Sequence, residues 1–216
     1  MRFFYGRCFM NVAVFLAPGF EEIEALTVVD YLRRANQNTV VVAVPTDGHS
    51  DCEPVVEGAH QIKVVADISL KNYIEKLNGG EPDAIFFPGG SNGAKNLSDN
   101  QFLFQLATKM ERKGKIVSAI CAAPAVVLAH TGILSGRKWT GYPGLEKELD
   151  KICGSAVAVD ELMENSTYIP NVPFVLDNNV LTGRGPGTTE QFAMKLVELT
   201  AGSEVAEQIK KGSLQR

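Results

Sequence analysis

The residue of this chain best placed for covalent chemistry is a thiol set where an apolar strand meets a run of small residues. In Ala119-Ile-Cys-Ala-Ala-Pro124 the cysteine follows Lys115-Ile-Val-Ser-Ala-Ile120, read as a buried strand. It precedes Ala122-Ala-Pro-Ala-Val-Val-Leu-Ala-His130, read as a helix with proline in its first turn. There Cys121 faces unpaired N–H groups and the positive end of a helix dipole. Both favour a thiolate, so a pKa below the ordinary ~8.5, in roughly the 3.5–7.5 range, is expected. Ala119, Ala122 and Ala123 are small enough to let the chain turn tightly and leave the sulfur accessible. The competing reading is a cysteine that merely packs in the core.

Partners for that thiol are sought at other strand ends. Glu24 is paired with Cys121 because it falls in the first helical turn after a strand whose end is expected to neighbour the cysteine strand. Glu21 and Glu22 are explained by the positive helix end they face. Gly89 and Gly90 allow a ligand close to the backbone, and the Gly90 N–H joins that of Ala122 as an oxyanion donor. Gly183-Arg-Gly-Pro-Gly187 has the wrong spacing for a dinucleotide fingerprint, so no nucleotide cofactor is expected. His49, His60 and His130 do not cluster with carboxylates at metal spacing in the sequence, so no metal is expected either.

The elements that must hold these groups alternate. Strands at 11–17, 38–45, 83–87 and 115–120 read as continuous apolar runs, and helices are expected at 21–34, 69–77, 99–112, 122–130 and 189–200. An extended piece at 61–66 follows a polar segment, a short helix is expected near 145–151, and 174–182 reads as a hairpin. Ser203 is expected to cap a last helix to Lys211. The pattern is that of an α/β sandwich around a parallel sheet, whose ligands collect outside the carboxyl ends of the strands. Pro18–Glu24, Pro88–Gly90 and the Cys121 turn are the loops expected to converge there.

At 216 residues and 45% hydrophobic content the chain suits a single domain over 11–216. A net charge of -4 with scattered lysines and arginines argues against nucleic acid and against an anionic membrane surface. The longest apolar runs fall far short of the ~20 residues that cross a bilayer, so a soluble protein is expected. Cys8, Cys52, Cys121 and Cys153 make no C-x-x-C pair, which fits a reducing cytoplasm rather than a zinc knuckle or disulfide framework. Residues 1–10 are read as a disordered leader, with an organelle-targeting fragment as the alternative.

Taken in order, Glu21-Glu-Ile-Glu24, Phe87-Pro-Gly-Gly90, Ala119-Ile-Cys-Ala-Ala-Pro124 and Thr182-Gly-Arg-Gly-Pro-Gly-Thr188 resemble the ThiJ/PfpI superfamily, and within it the branch of the parkinsonism-associated protein deglycase. The resemblance implies a flavodoxin-like three-layer sandwich with a mostly parallel sheet, a nucleophile elbow and a homodimer. It makes Cys121 the reactive cysteine, Glu24 the acid that hydrogen-bonds it, and Gly90 and Ala122 the backbone donors. Arg184 matches an arginine that approaches the partner's site in such dimers, and Gly89, Tyr142 and Pro186 are expected around the substrate or the dimer edge. The activity implied is cofactor-free conversion of methylglyoxal and glyoxal to lactate and glycolate, or removal of early glycation adducts. Oxidation of the same cysteine to a sulfinate implies the alternative, a redox sensor or stress chaperone. The sequence departs from the pattern at Tyr142, where some members carry a histidine, so a Cys-His-Glu triad and peptidase activity are not expected. His60 stands where some relatives have arginine, Val65 replaces a second redox-active cysteine, and the stretch between Lys151 and Pro173 is longer.

Overall fold

Apolar runs unbroken by polar residues form the spine of the molecule because both of their faces are covered. The computed structural model describes residues 9–46 and 54–215, so most of the leader, with Cys8, and also His49 and Cys52, lie outside the described residues. In chain order the first half comprises β1 (Asn11–Leu16), α1 (Glu22–Arg34), β2 (Asn38–Ala43), β3 (Val55–Glu57), β4 (Lys63–Val65), β5 (Ile68–Ser69), α2 (Leu70–Leu77), β6 (Ala84–Phe87), α3 (Ser91–Ser98) and α4 (Gln101–Arg112). There follow β7 (Ile116–Ile120), β8 (Lys138–Trp139), α5 (Leu149–Ile152), α6 (Ala156–Leu162), β9 (Thr167–Tyr168), β10 (Phe174–Asp177), β11 (Val180–Gly183), α7 (Thr189–Ala201) and α8 (Ser203–Gly212).

Seven strands make the central sheet in the order β10-β11-β7-β6-β1-β2-β5. Every pairing in it is parallel except that of β10 with β11. Along β1, Ala13 and Phe15 enter the core under α2, α3 and α4, while Val12, Val14 and Leu16 enter the core under α1 and α7. This double burial gives the flavodoxin-like three-layer sandwich expected from the unbroken apolar strands. Phe15 stacks on Phe87 at 5.6 Å and meets Tyr73 edge-on at 5.8 Å, tying β1, β6 and α2 together. The chain lays β2 and β5 on one side of β1 and then β6, β7 and β11 on the other. The order therefore reverses between β1 and β6, and the crevice outside their carboxyl ends is where such sheets bind ligands.

Several expected elements are corrected. The helix expected over 122–130 is a π-helical turn, Pro124–Leu128, followed by a 3-10 turn, Ala129–Thr131. The Ala129 N–H reaches the Pro124 carbonyl instead of continuing an α ladder. Helix α3 gives no periodic signal in the sequence because Leu97 is its only large apolar residue, with Ala94 the other buried side chain. The expected 99–112 helix starts at Gln101 because the Asn100 side chain accepts the Leu103 N–H as its cap. The polar segment before Gly58 contains β3, which pairs with β4 as an antiparallel hairpin apart from the main sheet. Helix α6 was also unread, and Ser203 is the first residue of α8 rather than its cap. The 174–182 hairpin is β10 and β11 as expected, with Asn178 taking the positive φ the turn needs.

Candidate active site

Cys121 ends β7 in the left-handed region, with φ 63°, a conformation that costs a non-glycine residue roughly 1–2 kcal/mol. Two backbone bonds impose it. Its N–H donates to the Gly183 carbonyl at the end of β11 (2.9 Å), and its carbonyl accepts the Tyr142 N–H (2.7 Å). Strain so over-determined turns the side chain sharply off the strand, which is the geometry of a nucleophile elbow. The residue is 7% exposed, so the expected open sulfur is corrected to one at the floor of the site.

Glu24, in the first turn of α1, is wholly buried beside this thiol. Its carboxyl and the thiol share a hydrogen bond, and its Oε2 accepts the Gly89 N–H at 2.7 Å. The reason given for choosing it needs correction, because β1 does not neighbour β7; β6 lies between them. What lets the two groups meet across β6 is Gly89. A Cβ there would stand 2.6 Å from the Cys121 Cβ and 2.7 Å from Glu24 Oε2. Only a residue without a side chain leaves room for the contact. The Glu21 N–H donates to the Gly89 carbonyl (3.0 Å), which locks the start of α1 to the same turn.

Three groups thus converge on the sulfur, since the Gly90 and Ala122 N–H groups also donate to it. Burial pushes the Glu24 carboxyl up to about 7, against the lowering effect of its bonds to Cys121 and Gly89. Burial also pushes the thiol up, a charged Glu24 and the hydrogen bond to it push in the same direction, and the Gly90 and Ala122 amides pull it down. The expected cause of a favoured thiolate is therefore corrected: the π-helical turn that follows is too short to supply a dipole, burial opposes ionisation, and what favours the anion is the pair of amides together with a protonated Glu24. The pair titrates as a unit. Two of the upward influences on the thiol vanish once Glu24 holds a proton, and a carboxyl raised to about 7 is roughly half protonated at neutrality. The donors favour sulfur as the seat of the shared charge. Sulfur has two amides, whereas the Glu24 carboxylate has one, and its buried Oε1 has no hydrogen-bond partner among the described residues.

A cleft of about 450 Å³ lies near the thiol, lined by Tyr142, Pro143, Arg184, Gly185, Pro186, Gly187 and Thr188. Gly185, not among the site residues expected from sequence, lies between the sulfur and this cleft. A Cβ built on it would lie 3.7 Å from the Tyr142 ring and 3.9 Å from Sγ. Tyr142 is half exposed at the rim, and Arg184 donates to Asn171 Oδ1 at 3.3 Å. The reading of the histidines as remote from carboxylates is corrected for His60. Its ring lies 2.8 Å from Glu22 Oε2 and 3.8 Å from Glu21 Oε1, because the β3–β4 turn folds over the start of α1. His130 instead bonds the Ile152 carbonyl (2.6 Å). No helix among the described residues is long and apolar enough to cross a membrane.

Comparison with known proteins gives a consistent result. The family model described as DJ-1/PfpI matches residues 10–199. Protein DJ-1alpha of Drosophila melanogaster is 34% identical over 208 residues, covering 96% of this chain and 85% of that protein. The glutathione-independent glyoxalase DJR-1.2 of Caenorhabditis elegans is 30% identical over 184 residues, 85% of this chain and 84% of its own length. Among solved structures, Drosophila melanogaster DJ-1beta superposes with a TM-score of 0.79 at 30% identity, covering 95% of this chain and 98% of that one.

Proposed function

This chain belongs to the DJ-1/PfpI family, and on that premise we propose that it is a cofactor-independent glyoxalase or deglycase acting on small reactive carbonyl compounds through Cys121. The observation that carries the reading is the convergence of one thiol, one buried carboxyl and two amides, with Gly185 between the sulfur and a neighbouring cleft. In the proposed reaction Sγ adds to the aldehyde carbon of methylglyoxal, and the new oxyanion is held by the Gly90 and Ala122 N–H groups. The Glu24 carboxyl protonates that oxygen and the resulting carboxylate removes the hydrogen from the same carbon. It then returns that proton to the adjacent carbon while the hydroxyl proton passes from the former aldehyde oxygen to the former ketone oxygen, so the aldehyde carbon is oxidised to the thioester level as the ketone carbon is reduced to an alcohol. The product is a thioester on Cys121. Water cleaves the S–C bond, releasing lactate and restoring the thiol. A carboxyl poised near the working pH suits this two-way proton traffic. Similarity to a protein named as a glutathione-independent glyoxalase supports the reaction class.

The direct test is lactate formation from methylglyoxal without glutathione. Wild type is expected to turn over, and Cys121→Ala to lose roughly a thousandfold or more. Equal rates would overturn the reading. The stereochemistry of the lactate, and the balance between free aldehydes and glycation adducts, are decided by the same assay with the two substrate types.

The second reading is a redox sensor. Gly185 leaves a Cβ-sized space 3.9 Å from Sγ, room for added oxygen beside the amides that hold an anion. Gain of two oxygens at Cys121 under graded peroxide, with negligible aldehyde turnover, would favour it. We also propose a cytoplasmic homodimer. Ile23 and Leu26, one turn apart on α1, leave an exposed apolar face that supports self-association. Arg184 and Pro186 are the cleft residues proposed to meet the partner.

A further inference from the structure

We propose that Glu21, Glu22 and His60 form a site for a divalent transition-metal ion of the Zn²⁺ class, beside the thiol but separate from it. The three ligand atoms come from two elements, the start of α1 and the turn of the β3–β4 hairpin, and lie within 4.8 Å of one another. Four-coordinate zinc with bonds of about 2.0–2.1 Å holds its ligand atoms roughly 3.3 Å apart. Here Nδ1 of His60 stands 2.8 Å from Glu22 Oε2 and 3.8 Å from Glu21 Oε1, separations that bracket that value. The His60 ring is largely exposed and can move by the few tenths of an ångström required.

The surroundings orient a ligand as well as a partner. Glu22 is buried, and its Oε1 accepts the His60 backbone N–H at 2.7 Å, which fixes the carboxylate plane and leaves Oε2 pointing at the imidazole. Metal-binding carboxylates are held by such secondary bonds. The notch that admits this carboxylate exists because residue 58 is glycine: a Cβ there would stand 2.3 Å from Glu22 Oε1. A simple imidazole–carboxylate pair needs Glu22 alone. Glu21 supplies a third ligand and a second negative charge, enough to outweigh the opposing helix dipole. One imidazole nitrogen and two carboxylate oxygens select a first-row ion over Ca²⁺ or Mg²⁺, which take six or more oxygens or keep their waters. The exposed side of the ring leaves a coordination position for water.

The test titrates the full chain with Co²⁺, a spectroscopic substitute for Zn²⁺, followed by competition with Zn²⁺. The expected result is one bound equivalent with d–d absorption but no thiolate-to-metal charge transfer. His60→Ala and Glu21→Gln are each expected to weaken binding roughly tenfold or more, and Cys121→Ser to leave it unchanged. His60 is largely exposed and Glu21 only partly so, and an unchanged circular dichroism spectrum for both variants keeps loss of fold apart from loss of the site. No binding, affinity indifferent to both substitutions, or a charge-transfer band that disappears with Cys121→Ser would each overturn the proposal. None of these readouts depends on aldehyde turnover.

Discussion

Glu22 and Glu24 sit two residues apart in the first turn of α1, both are buried, and their surroundings drive them in opposite directions. Burial raises each. At Glu22 the His60 ring, the His60 backbone N–H, its own N–H and that of Ile62 outweigh burial, and the carboxyl is lowered. At Glu24 the Cys121 and Gly89 bonds do not, and the carboxyl rises to about 7. The comparison teaches that in this helix turn the supply of donors, rather than depth, decides which carboxylate is a fixed anion and which can carry a proton back and forth. The rim is built to hold charge and the floor to move it.

The strongest way to break this contrast is to separate the floor groups. Gly89→Ala would drive a methyl against the Cys121 Cβ and Glu24 Oε2, both under 3 Å away. Overpacking of this kind costs about 1–3 kcal/mol, and the displacement should lower kcat/KM roughly a hundredfold, measurable by denaturation and lactate assay. A smaller effect of Gly89→Ala than of Gly212→Ala, where a Cβ meets nothing within 4 Å, would contradict the close approach.

The next effect is on stability against pH. Glu24 has a folded pKa of about 7, above its unfolded value of 4.5. Its contribution is fully present below 4.5 and is lost as pH rises through about 7, on the order of 3 kcal/mol in all. Glu24→Gln should therefore gain stability relative to wild type as pH rises from 5 to 8. Denaturant midpoints at those pH values check it, and a gain independent of pH would count against it. Glu22 carries the opposite sign. Lowered from 4.5, it contributes above that value and loses its contribution as pH falls through the folded pKa, so Glu22→Gln should lose its penalty in acid. The smallest expected effect is at the rim surface, where His60→Ala should weaken the β3–β4 turn chiefly below its raised folded pKa and little at high pH.

Much of this architecture was legible from residue types. β1, β2, β6 and β7 are short, apolar and punctuated by Pro or Gly, and burial on both faces makes such strands unmistakable. Cys121, Gly90 and Ala122 could be named because each lies at a strand end, where topology gathers loops. Glu24 was named with a wrong neighbour, since sequence does not reveal that β6 intervenes or that Gly89 is the aperture through which the two acids meet. Long-range bonds were equally hidden. The φ of Cys121 is imposed by Gly183 and Tyr142, which lie far along the chain, and His60 reaches Glu22 across 38 residues through a hairpin whose β3 carries one buried valine. The π-helical turn after Cys121 escaped for a further reason, because alanine and valine at helical spacing are equally compatible with an α-helix.

The central claim is that the first proton the buried pair releases as pH rises through about 7 leaves its charge on sulfur, while Glu24 keeps the remaining proton. Thiolate absorbance at Cys121 followed against pH tests it most directly, with the other cysteines replaced by serine, in wild type and in Glu24→Leu. The expected wild-type midpoint lies below the ordinary thiol value of about 8.5, and loss of the carboxyl donor should raise it by about one to two pH units. A wild-type midpoint above 9 that falls on substitution would show instead that Glu24 is the anion and that the thiol is held protonated by its neighbour.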